Sequence, residues 1–212
     1  MITTVHLRKL ARGGEAEAQF RLGYRLAFGR HRSRPAWPEA ARWWTLAANQ
    51  GYMRAQFYLG TCYDLGRGIR RNLARAMQLY RLAADQGHIE AQYNLAMGYQ
   101  DGDGVRRNYR AAVNWLRHAA MKGDSEAQSD LGYCMHYGRG VKENQKQAAK
   151  WYRRAAQQGL PRAQFNLGLC YLDGTGIRKN LRMAAKWLHQ AAANGHKPAA
   201  TVVRREWPPA AR

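Results

Sequence analysis

Residues Glu90–Gly123, EAQYNLAMGYQDGDGVRRNYRAAVNWLRHAAMKG, decide the fold, because variants of this stretch recur along nearly the whole 212-residue chain. The Ala91-Gln92 pair returns as Ala18-Gln19, Ala55-Gln56, Ala127-Gln128 and Ala163-Gln164, at spacings of 37 and then 36 residues. The closing Ala119-Ala120 with Gly123 returns as Ala47-Ala48 with Gly51, Ala83-Ala84 with Gly87, Ala155-Ala156 with Gly159 and Ala191-Ala192 with Gly195. A fixed period of this length marks a repeat architecture whose modules contact only their neighbours. The expected fold is all-α: a solenoid of five helical hairpins, closed at each end by a capping helix.

Each repeat divides into two helices, A and B, around a glycine-rich loop. In helix A, Ala91, Gln92, Leu95 and Tyr99 stand three and four apart, which puts them on one face, expected to be buried. After the Leu comes Gly23, Gly60, Ala96, Gly132 or Gly168, small enough for close packing that outweighs the roughly 1 kcal/mol cost of a helical glycine. Gly102-Asp103-Gly104 and its equivalents permit positive φ, and Asn72, Asn108, Asn144 and Asn180 are good N-caps for helix B. Helix B carries an alanine column, Ala40, Ala76, Ala112, Ala148 and Ala184. Trp43, Leu79, Trp115, Trp151 and Trp187 follow, and are expected to interlock as core.

The repeats are expected to span 15–51, 52–87, 88–123, 124–159 and 160–195. Residues 1–14 read as an N-terminal capping helix, since Leu10-Ala11 and Gly14 match the end of a helix B. Residues 196–207 read as a closing helix A, with Val203 in the Leu column and Trp207 in the Tyr column. Pro208-Pro209 stops it, leaving 208–212 as a tail. The first repeat holds a one-residue insertion in Arg30-His31-Arg32-Ser33-Arg34, and Trp37 recovers the register as a packing residue.

Hydrophobic residues make up 46% of the chain, enough for a core, and no apolar run is long enough for a membrane span. Met1–Gly14 lacks the continuous apolar stretch of a secretory signal, so a cytoplasmic protein is expected. Cys62, Cys134 and Cys170 share one column and read as partly buried free thiols in a reducing compartment. Lys and Arg number 35 against 14 Asp and Glu, a formal charge of +21. Such a charge attracts acidic protein, nucleic acid or anionic lipid and says nothing about fold.

The succession Ala-Gln-x-x-Leu-Gly, Tyr, Gly-x-Gly-Val and Trp-x-x-x-Ala-Ala-x-x-x-Gly over residues 4–207 resembles the Sel-1-like repeat family, relatives of the tetratricopeptide repeats. The resemblance implies a right-handed α/α superhelix with helix A lining the concave face. It also implies a role as adaptor or scaffold, including members that neutralise effectors. Asn replaces the family's usual Asp before helix B, and the paired cysteines of some bacterial members are absent.

The sequence offers little support for catalysis. It has no phosphate loop, no H-E-x-x-H and no C-x-x-C. Val105 replaces an oxygen ligand in the calcium-like Asp101-Gly102-Asp103-Gly104. No enzyme activity, metal or cofactor is expected.

Binding is expected on the concave face, at the helix A positions that vary from repeat to repeat. They are Arg21, Tyr24, Arg25 and Phe28; Tyr58, Thr61 and Leu65; Asn94, Met97 and Asp101; Asp130, Tyr133 and Tyr137; and Asn166, Leu169 and Asp173. Tyr and Arg are favoured in binding hot spots, and the net charge points to an acidic protein partner. The alternative is nucleic acid or another anionic surface on a basic loop ridge of Arg70, Arg71, Arg106, Arg107, Lys142, Arg178 and Lys179. Lys146, Lys150, Arg153, Arg182 and Lys186 extend that ridge over helix B.

Overall fold

A computed structural model describes residues 4–29 and 35–208. The Arg30–Arg34 insertion and the tail from residue 209 lie outside the described residues. Those described form twelve α-helices and no strand. The chain divides into two compact units, Met1–Arg107 and Asn108–Arg212. The first holds α1 (Thr4–Arg12), α2 (Ala16–Phe28), α3 (Trp37–Asn49), α4 (Met53–Leu65), α5 (Leu73–Asp85) and α6 (Ile89–Asp101). The second holds α7 (Tyr109–Met121), α8 (Ser125–Tyr137), α9 (Gln145–Gln157), α10 (Pro161–Asp173), α11 (Leu181–Ala193) and α12 (Lys197–Glu206). Within each unit, every helix packs on the next in sequence.

Local chemistry starts and stops these helices as the sequence leads one to expect. The side chains of Asn72, Asn108, Asn144 and Asn180 each accept from the third backbone N–H of the following helix at 3.0 Å. Asp124 does the same for α8 and His196 for α12, two caps the repeat pattern did not announce. Gly66, Gly102, Gly138 and Gly174 end helix A in the left-handed conformation.

The helices are tied by a buried glutamine in each helix A. Gln128 Nε2 donates to Ala120 O, at the end of the preceding helix B, at 3.1 Å. Its Oε1 accepts from Gln158, just after its own helix B, at 2.9 Å. Gln19, Gln56 and Gln164 repeat both bonds, with Gln50, Gln86 and Asn194 as the second partners. Gln92 makes the first, to Ala84 O at 3.0 Å.

The core requires one correction. The column of Trp43, Leu79, Trp115, Trp151 and Trp187 is half-buried, and Arg154 and Lys186 lie over the rings of Trp151 and Trp187. The fully buried column is the next residue: Trp44, Tyr80, Leu116, Tyr152 and Leu188. The glycines of helix A explain it, because a Cβ at Gly60 would lie 2.9 Å from the Tyr80 ring and one at Gly132 2.8 Å from that of Tyr152. One residue turns the side chain about 100° around the helix, so only one of the two columns can face that glycine. Tyr99, assigned to the buried face of helix A, is likewise half-buried and accepts from Arg81. Trp37 packs against the core as expected, while Val203 and Trp207 cover Leu188, Ala191 and Ala199 from a half-buried position.

Two substitutions test this framework by urea unfolding. Gln128→Ala strands a buried carbonyl and a side-chain amide and is expected to cost about 1–3 kcal/mol. Gly140 has φ +70, and a Cβ there would lie 2.3 Å from Tyr109 O, whereas Gly159 has φ +90 with open space around it. Gly140→Ala is therefore expected to cost at least about 1–3 kcal/mol more than Gly159→Ala.

Candidate binding site on the helix A face

In the first unit, aromatic side chains of α2, α3 and α4 meet at the helix A surface. Tyr24 and Phe28, both exposed, lie 4.9 Å apart by ring centroids, and Tyr58 is 5.6 Å from Tyr24 and 6.0 Å from Phe28. Beneath them Trp44 packs 5.2 Å from Tyr58, and Trp37 meets Phe28 edge to face at 5.3 Å. Three expected contact residues thus form one aromatic patch over a buried tryptophan. Arg21, exposed, pairs with Glu17. Arg25 and Leu65 are also exposed, and Thr61 is half-buried.

Next to it, α4, α5, α6 and the following loop enclose a hollow of about 110 Å³ lined by Asn94, Met97 and Asp101 of the expected set. Asp64, Tyr80 and Asp103, which sequence reasoning missed, also line it. Tyr80 is buried, and its hydroxyl lies 3.2 Å from Asp64 Oδ2 and 3.4 Å from Thr61 Oγ1. Burial pushes its pKa up to about 12, so it remains a donor.

The second unit has a counterpart hollow of about 180 Å³ between α8, α9 and α10. Tyr133, Tyr137, Asn166, Leu169 and Asp173, all expected, are brought together there with His136, Tyr152, Cys170 and Thr175, which were not. Tyr152 corresponds to Tyr80 two repeats earlier and is equally buried. Tyr133 and His136 stand where Thr61 and Asp64 stand, so neither bond that holds the Tyr80 hydroxyl has a counterpart. That correspondence, an offset of 72 residues, is the signal that could have found both tyrosines. Asp130 stays outside the hollow: it is half-buried and pairs with Arg162 at 2.8 Å, which also reaches Glu126 at 2.8 Å.

The Sel1 repeat family model matches residues 16–52, 54–88, 89–124, 125–160 and 161–196. The chain belongs to the Sel1 repeat family. It is similar to c5321, a protective antigen of uropathogenic Escherichia coli strains, with 33% identity and a TM-score of 0.91 over 97% of this chain and 44% of that one. A Sel1 repeat protein from Oxalobacter formigenes is 32% identical with a TM-score of 0.82, over 95% of this chain and 58% of that one. DAP3-binding cell death enhancer 1 of Rattus norvegicus is 36% identical over 75 residues, 35% of this chain and 14% of that protein. The chain therefore spans less than two thirds of the length of each. Sel1 repeat proteins generally mediate protein–protein interaction and are generally non-catalytic.

In this Sel1 array the basic loop residues Arg70, Arg71, Arg106, Arg107, Lys142, Arg178 and Lys179 are all exposed. Two of them also have a local role, since Arg71 donates to Asp64 O at 2.8 Å and Arg107 to Asp101 O at 3.1 Å, covering free carbonyls at the end of helix A. Among the described residues no group of three His, Cys, Asp or Glu could hold a metal ion, and no helix is long and apolar enough to cross a membrane.

The three cysteines are free and fully buried rather than partly so. Burial pushes each thiol up to about 11 from the ordinary 9.0. An acid whose pKa is raised by folding supports the fold fully below its unfolded value and loses that support as pH rises toward the folded one. Stability to urea is thus expected to fall between pH 9.0 and about 11. Replacing all three cysteines with Ala should flatten the part of this fall that the thiols supply, and a native-state thiol reagent should label none of them at neutral pH.

Proposed function

We propose that this Sel1 repeat protein is a non-enzymatic scaffold or adaptor that holds an exposed element of a partner protein against its helix A face. The observation that carries this reading is the clustering of the variable helix A residues. Tyr24, Phe28 and Tyr58 share one aromatic patch, and Asn94, Met97 and Asp101 share a hollow. Tyr133, Tyr137, Asn166, Leu169 and Asp173 share another. Partly exposed aromatic anchors beside side-chain amides are what an interface hot spot needs: apolar area with a low ordering cost, and polar groups to fix register.

A second reading, binding of a nucleic acid or another anionic surface on the basic ridge, is favoured by one observation. Helices α7, α9 and α11 contain no Asp or Glu and expose Arg110, Arg117, Lys146, Lys150, Arg154, Arg182 and Lys186. Such binding would be sequence-independent and strongly weakened by salt.

The test is capture from the native cell extract, with nuclease treatment and at low and high salt. The scaffold reading expects one protein partner that survives both, is lost with Tyr58→Ala or Asn94→Ala, and persists when Arg106 and Arg107 are changed to Glu. Recovery of nucleic acid alone, abolished by the Arg106 and Arg107 reversals and untouched by Tyr58→Ala, would replace it with the second reading.

A further inference from the structure

In a chain of formal charge +21, neither helix A hollow has a Lys or Arg in its lining. Asp64, Asp101 and Asp103 line the first and Asp173 the second. Carboxylates alone would be served by water. The second hollow adds an independent feature: Nδ1 of His136, in its lining, is buried and has no hydrogen-bond partner among the described residues, and the Tyr152 side chain that shares the lining is 2% exposed. A buried polar atom left unpaired costs free energy that a bound group can recover.

We infer that the hollow between α8, α9 and α10 receives one cationic side chain, Lys or Arg, from the partner protein. This rests on the helix A face being the contact surface. An ammonium or guanidinium has donors only, and the lining supplies matching acceptors: the Asp173 carboxylate, the Asn166 carbonyl oxygen and the Tyr152 hydroxyl oxygen. The rings of Tyr133 and Tyr137, 4.6 Å apart and inclined at 52°, wall the site with electron-rich faces that attract a cation. Arg139 already lies over the Tyr133 ring, 5.1 Å from its centroid, while Tyr137 is 59% exposed and free to receive the incoming group. A volume of about 180 Å³ holds the end of one long side chain. An acidic side chain would enter beside Asp173 with no cation in the lining to offset the repulsion. The inference therefore reverses, for this hollow, the acidic partner that the net charge suggests. Loops and helix B carry much of the Lys and Arg, while this hollow presents acceptors.

The experiment is a titration of the full chain with four blocked amino acids, N-acetyl-arginine amide, N-acetyl-lysine amide, N-acetyl-glutamine amide and N-acetyl-glutamate amide, read by NMR of the tyrosine rings. The two cationic probes are expected to shift the Tyr133, Tyr137 and Tyr152 signals saturably, and the glutamate probe is not. Asp173→Asn should weaken the cationic probes about ten-fold and Tyr152→Phe roughly three- to five-fold, the scale of a charge-assisted and a neutral hydrogen bond. Both variants should keep the parent Tm, since Asp173 is exposed and the phenylalanine preserves the buried ring. Binding of the glutamine probe as tight as that of the cations and indifferent to Asp173→Asn would overturn the cation assignment in favour of a neutral amide. No saturable shift with any probe would eliminate the hollow as an anchor. Neither result depends on capturing a partner, so failure here is distinct from failure of the scaffold reading, which shows only in the capture experiment.

Discussion

The stack depends on one buried carboxamide per repeat. Each helix A brings a glutamine into the core, where a lone polar group would be costly. Its Nε2 satisfies a carbonyl at the end of the preceding helix B. In every repeat but that of Gln92, its Oε1 is satisfied in turn by the amide that follows its own helix B. Three helices are held in register by one side chain, and a carbonyl that the end of a helix leaves open finds its partner. The alanine beside it, at or near zero exposure in every repeat, leaves the space in which those bonds reach hydrogen-bond length.

The same closeness shapes the candidate site. The backbones at Gly60 and Gly132 let the rings of Tyr80 and Tyr152 lie directly against helix A, and each ring then lines a hollow on the helix A face. The scaffold beneath the two hollows is the same while the chemistry around each hydroxyl differs. Thr61 and Asp64 occupy the Tyr80 hydroxyl, and Tyr133 and His136 stand in their places beside Tyr152. A repeat protein can thus change what it binds at one module without disturbing how the modules pack.

Charge is divided along the same lines. Helices α7, α9 and α11 have no carboxylates, whereas the lining of each hollow has carboxylates and no cation. The net charge of the chain is therefore a poor guide to the electrostatics of these two hollows. Asp130, a helix A carboxylate outside the hollow, is instead neutralised by Arg162 of the next helix A.

The period, the helix ends, the glutamine and glycine columns and the family itself were legible in the sequence, because they rest on backbone rules that act within a few residues and recur five times. The identity of the large core residue was not. Trp43 and Trp44 are both apolar, aromatic and adjacent, and only the approach of Gly23 from the neighbouring helix, where a Cβ would lie 2.6 Å from Trp44 Nε1, selects the second. The candidate site divides in the same way. Asn94, Met97, Tyr133, Tyr137, Asn166 and Asp173 stood out as variable positions on a regular face, but Tyr80, Asp103, His136, Tyr152 and Thr175 come from helix B, the loop and the far end of helix A. Sequence alone determined which residues lie on which helix and where each helix turns, since those follow from the chain's local preferences. Tertiary structure alone decided which groups share a hollow and which polar atom there is left unpaired, since that depends on the distance and rotation at which separate helices meet.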